Sequence, residues 1–286
     1  MASILEKIKG QTNLPSLPKN LNLLMRSLTD NNLNYRRLAM IIKQHPEIAT
    51  RLIFLANSPW AAPTRPISSI EQACSILGIS IVKSISFGIS IASSFDARKC
   101  PAFNAEHYWT TSMLVAEGVS LLASKLSKKP ELDDFEQTAQ TAGILHNLGL
   151  LWLADNFPAE TNLALEKVAT EPSLTVNEAL LQYIETDYCE VGGWIGNQLT
   201  LPEVLVIAIK HHLDNDYQES SWEIAQIVGS ASKMVATLHK QGDKAPENAR
   251  LEALGLDLST QMYVFQQLSK KFEKTQELAK ILFLGK

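Results

Sequence analysis

Cysteine is scarce in this sequence, and the three present, Cys74, Cys100 and Cys189, are far apart and odd in number. Their scatter excludes a disulfide framework, and the lack of any CxxC or paired Cys/His spacing excludes a structural zinc knot. A reducing, cytoplasmic setting fits such thiols best. No charge of one sign dominates: a formal net charge of −4 and a pI near 5.9 provide no basic field to hold a polyanion, so nucleic-acid binding is not favoured. The densest basic group, Lys125 with Lys128 and Lys129, is small. Long hydrophobic runs are missing too. The most apolar stretch, Ile79 to Phe95, is broken by Lys83 and by serines before it could span a bilayer, and Met1 to Gly10 carries Glu6, Lys7 and Lys9 where a secretory signal needs an apolar core. No membrane segment is expected. A glycine-rich phosphate loop, a GxSxG elbow and an HExxH pair are all absent, which removes the most familiar motifs of nucleotide, acyl-transfer and zinc-protease chemistry.

What is present is helical periodicity in a chain that is 45% hydrophobic, enough to fill a sizeable core. Apolar residues recur at three and four, first at Leu21, Leu24, Met25 and Leu28, then at Leu38, Ile41 and Ile42. The punctuation agrees. Pro46 after His45 suits a first helical turn, Ser68 with Glu71 and Thr175 with Glu178 have capping-box spacing, and Pro202 opens the run Glu203 to His212. Ile85 to Ile91 alternates like a strand, but Ile81, Val82, Ile85, Ile89 and Ala92 also form a helical stripe. A lone strand among helices would leave its backbone unpaired, so helix is the reading. The breaker Pro101 within Asp96 to Ala105 marks a boundary between an N-terminal helical subdomain, residues 1–100, and a second bundle, residues 101–286. Ser259 to Leu284 reads as a closing amphipathic helix with Met262, Phe265, Leu268, Phe272, Leu278 and Ala279 on one face. The fold class is therefore all-α, as two packed helical bundles.

Candidate chemistry centres on the segment Gly143 to Leu150, where His146-Asn147 looks like a metal-binding His-Asp doublet with an amide in place of the carboxylate. Hard divalent cations in hydrolytic sites need anionic oxygen, and an Asn carbonyl supplies no charge. A His at the end of an apolar helix also has an ordinary packing role. His211-His212 reads equally as a ligand pair or as a helix terminus, where imidazoles meet free carbonyls. His45 reads as a helix-entry residue, Asn57 as a C-terminal cap tolerating left-handed geometry, and Trp109, Trp152, Trp194 and Trp222 as core. His107 shares a helix face with Thr111. Cys100 and Cys189 lack an activating neighbour in sequence.

Several separate segments together resemble a known family: Leu14-Pro15-Ser16-Leu17-Pro18, Leu52 to Ser58, Ile67 to Ala73, Ser75-Ile76-Leu77-Gly78, Tyr108-Trp109, Gly143 to Gly149, Glu190-Val191-Gly192 and Lys210-His211-His212-Leu213. In this order they resemble the HDOD domain, the HD-related output domain of bacterial signalling proteins, over about residues 12 to 240. The resemblance implies an all-α protein whose second bundle is HD-like, related to metal-dependent phosphohydrolases in which a His, a His-Asp pair and a later Asp hold the metals. This chain departs from that pattern. Thr111 falls at the first His position, His146-Asn147 keeps the second His and loses its Asp, Ser232 falls where the final Asp belongs, and Tyr188 stands where many relatives have a His. His146, His211 and His212 survive.

Neutral hydroxyls and an amide do not supply the charge that a divalent cation and an activated water require. The resemblance thus implies a non-catalytic bacterial signal-transduction module acting through protein contacts, with a remnant cleft of Thr111, His146, Asn147, Tyr188, His211, His212 and Ser232. No cofactor is expected, although the surviving imidazoles leave room for a weak divalent metal, and the cleft for a small ligand. The alternative is a metal-dependent phosphohydrolase acting on a nucleotide or other phosphoester. In that case Asp133, Asp134, Asp187, Asp214 or Asp216 would restore the missing charge.

Overall fold

Short polar side chains set where the helices begin. In the computed structural model, which describes residues 34–59, 61–92, 95–126 and 135–283, Asn34 Oδ1 accepts the Arg37 amide and opens α1 (Tyr35–Ile42). Pro46, with His45 before it, starts α2 (Pro46–Ala56) as the spacing predicts. The cap of α3 (Ile70–Leu77) lies one residue beyond the expected Ser68: Ser69 Oγ accepts the Gln72 amide, while Gln72 Oε1 accepts the Ser68 amide. Glu71 instead pairs with Lys43 of the α1 C-cap. The strand-like stretch is helical, within α4 (Ile79–Ala92). The Leu14 to Pro18 motif, the Leu21 to Leu28 series, Trp60, Lys128-Lys129, Asp133, Asp134 and Leu284 lie outside the described residues.

After a single 3-10 turn at Ala97–Lys99 comes the long α5 (Ala105–Ser124), capped by Asn104. It is the axis of the molecule. Packed along it are α6 (Phe135–Leu145), α12 (Trp222–His239) and the closing α14 (Leu258–Phe283). Between α6 and α12 the chain forms α7 (Leu148–Asn156), the α8 and α9 pair (Pro158–Thr170, Val176–Ile184), and α10 and α11 (Tyr188–Gln198, Glu203–His211). The expected Thr175/Glu178 capping box opens α9, with both reciprocal hydrogen bonds present. A short α13 (Ala249–Ala253) precedes α14. Among the described residues there is no strand, so the backbone is satisfied locally and the fold is all-α.

The buried apolar side chains form one connected cluster, from Leu38 and Leu52 through Phe87, Leu114 and Trp152 to Ile227 and Leu282. Burying each large side chain contributes roughly 1.5–3 kcal/mol. α4 packs on α6, and α2 meets α14, where the Arg51 guanidinium donates to the Leu282 carbonyl. Met262 departs from the expected apolar face of α14 and is 48% exposed, because it sits about 60° round the helix from Phe265 and about 120° from Leu268, which are buried. Asn57 does close α2, but with φ of −96° and not left-handed geometry; its side-chain amide pairs with both the N–H and the carbonyl of Ile67 and anchors the following loop. Among the described residues no single helix is long and apolar enough to cross a bilayer; only α3 and α4 together pass that test, as a pair bent by 118°.

Candidate functional site

His146 and Asn147 occupy the break between α6 and α7, with Asn147 as the non-helical residue before α7. Two close crossings fix this break against the rest of the bundle. At Gly149 a Cβ would lie 2.0 Å from the Tyr188 carbonyl oxygen, and at Gly229 a Cβ would lie 1.8 Å from the His212 carbonyl oxygen. Only glycine lets α7 approach α10, and α12 approach the end of α11, at those distances. The result brings together the His146 and His212 rings, 5.2 Å apart and edge to face, with the Tyr188 ring 5.9 Å from His212.

All of these groups are buried: His146 is 1% exposed, His212 3% and Asn147 5%. His146 Nδ1 is 2.7 Å from the Gly143 carbonyl and His212 Nδ1 is 2.9 Å from the Ile209 carbonyl. A carbonyl can only accept, so both rings carry their proton on Nδ1 and keep a lone pair on Nε2. Burial, reinforced by the His212 ring beside it, pushes His146 down to about 3. Burial likewise pushes His212 down to about 4 against its carbonyl contacts. Both imidazoles are therefore neutral at ordinary pH. Cys189 Sγ lies 3.8 Å from His212 Nε2 and accepts from the Asn177 amide; burial raises this thiol far above its usual range, as it does the Tyr188 phenol.

Asn147 is tied to α5 by Ser112, whose Oγ lies 3.0 Å from the Asn147 side-chain oxygen and 2.9 Å from the Tyr108 carbonyl. One hydroxyl proton cannot serve both at once. Turning the Asn147 amide over would place its NH₂ against Ser112 Oγ and leave the hydroxyl proton for Tyr108, so an amide can satisfy an arrangement that a carboxylate cannot.

The other expected site residues are placed elsewhere. Thr111 faces His239, with Oγ1 2.9 Å from Nε2. His211 stacks on Tyr217 at 4.0 Å and pairs with Asp214 at 3.5 Å, while Ser232 is half-buried on α12. The candidate carboxylates among the described residues have other partners: Asp187 caps α10 by accepting the Cys189 and Glu190 amides, Asp214 faces His211, and Asp216 faces Arg250. Among the described residues no cluster of three or more His, Cys, Asp and Glu side chains is arranged to hold a metal ion. A hydrolytic dication needs anionic ligands, so this donor set of two neutral imidazoles, an amide, a phenol and a raised thiol does not fit it.

Sequence reasoning missed Ser112, the thiol of Cys189 beside His212, and His239. Ser112 carried a weak signal, standing next to Thr111 and four residues after Tyr108. His239 carried none, since its partner Thr111 is 128 residues away.

A family model for the HDOD domain matches residues 14–215. Among solved structures, a protein of Marinobacter aquaeolei VT8, provisionally named a signal transduction protein, superposes with a TM-score of 0.82 at 18% identity. That match covers 99% of this chain and 62% of the Marinobacter chain, so this chain spans less than two thirds of its length. An HDOD domain protein of unknown function from Geobacter sulfurreducens gives 0.76 at 22% identity, covering 98% and 97% of the two chains. A Shewanella amazonensis SB2B protein, provisionally named a phosphohydrolase, gives 0.74 at 21% identity, covering 98% of each. At these identities the likeness extends to the fold alone. No curated protein matches the chain.

Proposed function

The chain belongs to the HDOD domain family, and from that membership we propose that it is a non-catalytic regulatory module of bacterial signal transduction that acts through contacts with other signalling proteins. The observation that carries this reading is the packing of the former metal position. His146 and His212 are neutral, buried and in ring contact, and Asn147 is held by Ser112 where the family pattern has a metal-binding carboxylate. Such a centre has the character of a structural core, and the output then falls to the outer helix faces. On this reading residues 1–100 and 101–286 are two subdomains of one module.

One observation favours the rival, a metal-dependent phosphohydrolase. Both imidazoles donate Nδ1–H to a main-chain carbonyl and leave Nε2 unprotonated, the tautomer that ligating histidines adopt. Metal content by elemental mass spectrometry decides between the two, on untagged protein grown with iron, manganese, nickel and zinc and purified without chelator. The regulatory reading expects trace metal, unchanged in His146→Ala. Stoichiometric metal that disappears in His146→Ala would overturn it and call for a phosphoester screen.

A further inference from the structure

A second pair of imidazoles lies outside that centre, at the junction of three helices. His107 of the first turn of α5 and His239, the last residue of α12, stack with ring centroids 3.8 Å apart and planes 34° from parallel. Thr111 contacts His239 Nε2 from α5, and Phe272 of α14 presses on the His239 ring edge to face at 4.9 Å. Rings that overlap in this way do not direct their nitrogens at a common point, so the pair is not arranged as a chelate. Its chemistry is that of two bases in contact, His239 half-buried and His107 on the exposed side, which resist being charged together.

α14 lies across these rings as a strap. Besides the Phe272 contact it is held to α5 by Lys271 with Glu117 and Lys280 with Glu106, and to the N-terminal helices through Arg51 and the Leu282 carbonyl. We propose that the His107–His239 stack is an acid-sensitive latch on this strap, which loosens α14 from α5 and α12 when the rings take up protons.

Burial lowers His239 to about 3, with His107 beside it acting in the same direction, and partial desolvation lowers His107 also. Among the described residues the charged groups facing the pair are few. Glu106 on α5 favours a proton on His107 and is itself paired with Lys280 of α14, each ring disfavours a proton on the other, and Phe272 brings no charge. In the opened strap His239 regains solvent and its free proton affinity, near pH 6.5. Acid therefore favours opening, by about tenfold between pH 7.5 and 5.5 for His239, and His107 adds in the same direction. Charging the rings while stacked would set two like charges in contact.

Hydrogen exchange by mass spectrometry on the full chain tests this, with opening equilibria at pH 7.5, 6.5 and 5.5 corrected for intrinsic amide exchange. Peptides within residues 262–275 are expected to open about tenfold or more as the pH falls, while peptides of α8 and α9, which carry no histidine, open less. In His107→Phe/His239→Phe, which keeps aromatic stacking, the acid response of the α14 peptides is expected to vanish. Reading the ratio between two pH values within each variant removes any baseline loss of stability, and the single variants His107→Phe and His239→Phe should each remove part of the response. A pH-independent α14, a response of equal size over all helices, or a response retained in the double variant would overturn the proposal.

Discussion

At the scale of the residue, Asn147 shows how an amide and a carboxylate of the same shape make different proteins. The Ser112 hydroxyl stands between the Tyr108 carbonyl and the Asn147 side chain, and only a donor from Asn147 lets both contacts form. Asn147→Asp would place a buried anion beside a hydroxyl that has one proton to share between it and the Tyr108 carbonyl. It is expected to lower stability by roughly 1–3 kcal/mol in urea unfolding at pH 7.5, with less loss at pH 5 as the new carboxyl takes up a proton. An unchanged midpoint would refute this account of the pairing. His146 and Asn147 were legible because they are adjacent in a glycine-bounded segment. The choice between Thr111 and Ser112 was not, because neighbours on a helix point about 100° apart and only the packing of α5 against α6 and α12 decides which faces Asn147.

At the scale of the element, the helices were read well and their crossings were not. The Thr175/Glu178 box and Pro46 act within a few residues, so spacing alone revealed them. The one-residue error at Ser68 arises because Glu71 is drawn to Lys43, 28 residues away, leaving Gln72 to complete the cap of Ser69. Glycines 149 and 229 stand in helices where periodicity gives them no role, yet they set how closely α7 meets α10 and α12 meets the end of α11. Gly149→Ala would drive a methyl into the Tyr188 carbonyl and Gly192 N. Backbone cannot swing aside as a side chain does, so the expected loss is about 3 kcal/mol or more, visible as a lower urea midpoint with unchanged helix content in the folded baseline. A variant as stable as the parent would mean that the two helices do not meet at that distance.

At the scale of the whole molecule, the buried imidazoles make stability depend on pH. His146 and His212 have folded affinities near 3 and 4, whereas the unfolded chain binds a proton at each near pH 6.5. The unfolded state therefore holds more protons below 6.5. This stability is present in full above that pH and is lost as the pH falls toward the folded values, by about 1.4 kcal/mol per pH unit for each of the two rings, with His239 adding to the slope in the same direction. Denaturant titrations between pH 7.5 and 5, above the range of ordinary carboxylates, should show that slope, and a flat profile would contradict the burial of both rings. The order of the helices was legible from sequence, but not that the last one closes on α2, because nothing local marks Arg51 as the partner of a carbonyl 231 residues later. During synthesis that distance becomes time. At about 5–20 residues per second, Arg51 leaves the ribosome roughly 10–50 s before Leu282 is made. Through that interval the nascent amino-terminal helices lack their closing contact, and the face that α14 will cover is open to any chaperone that binds growing chains.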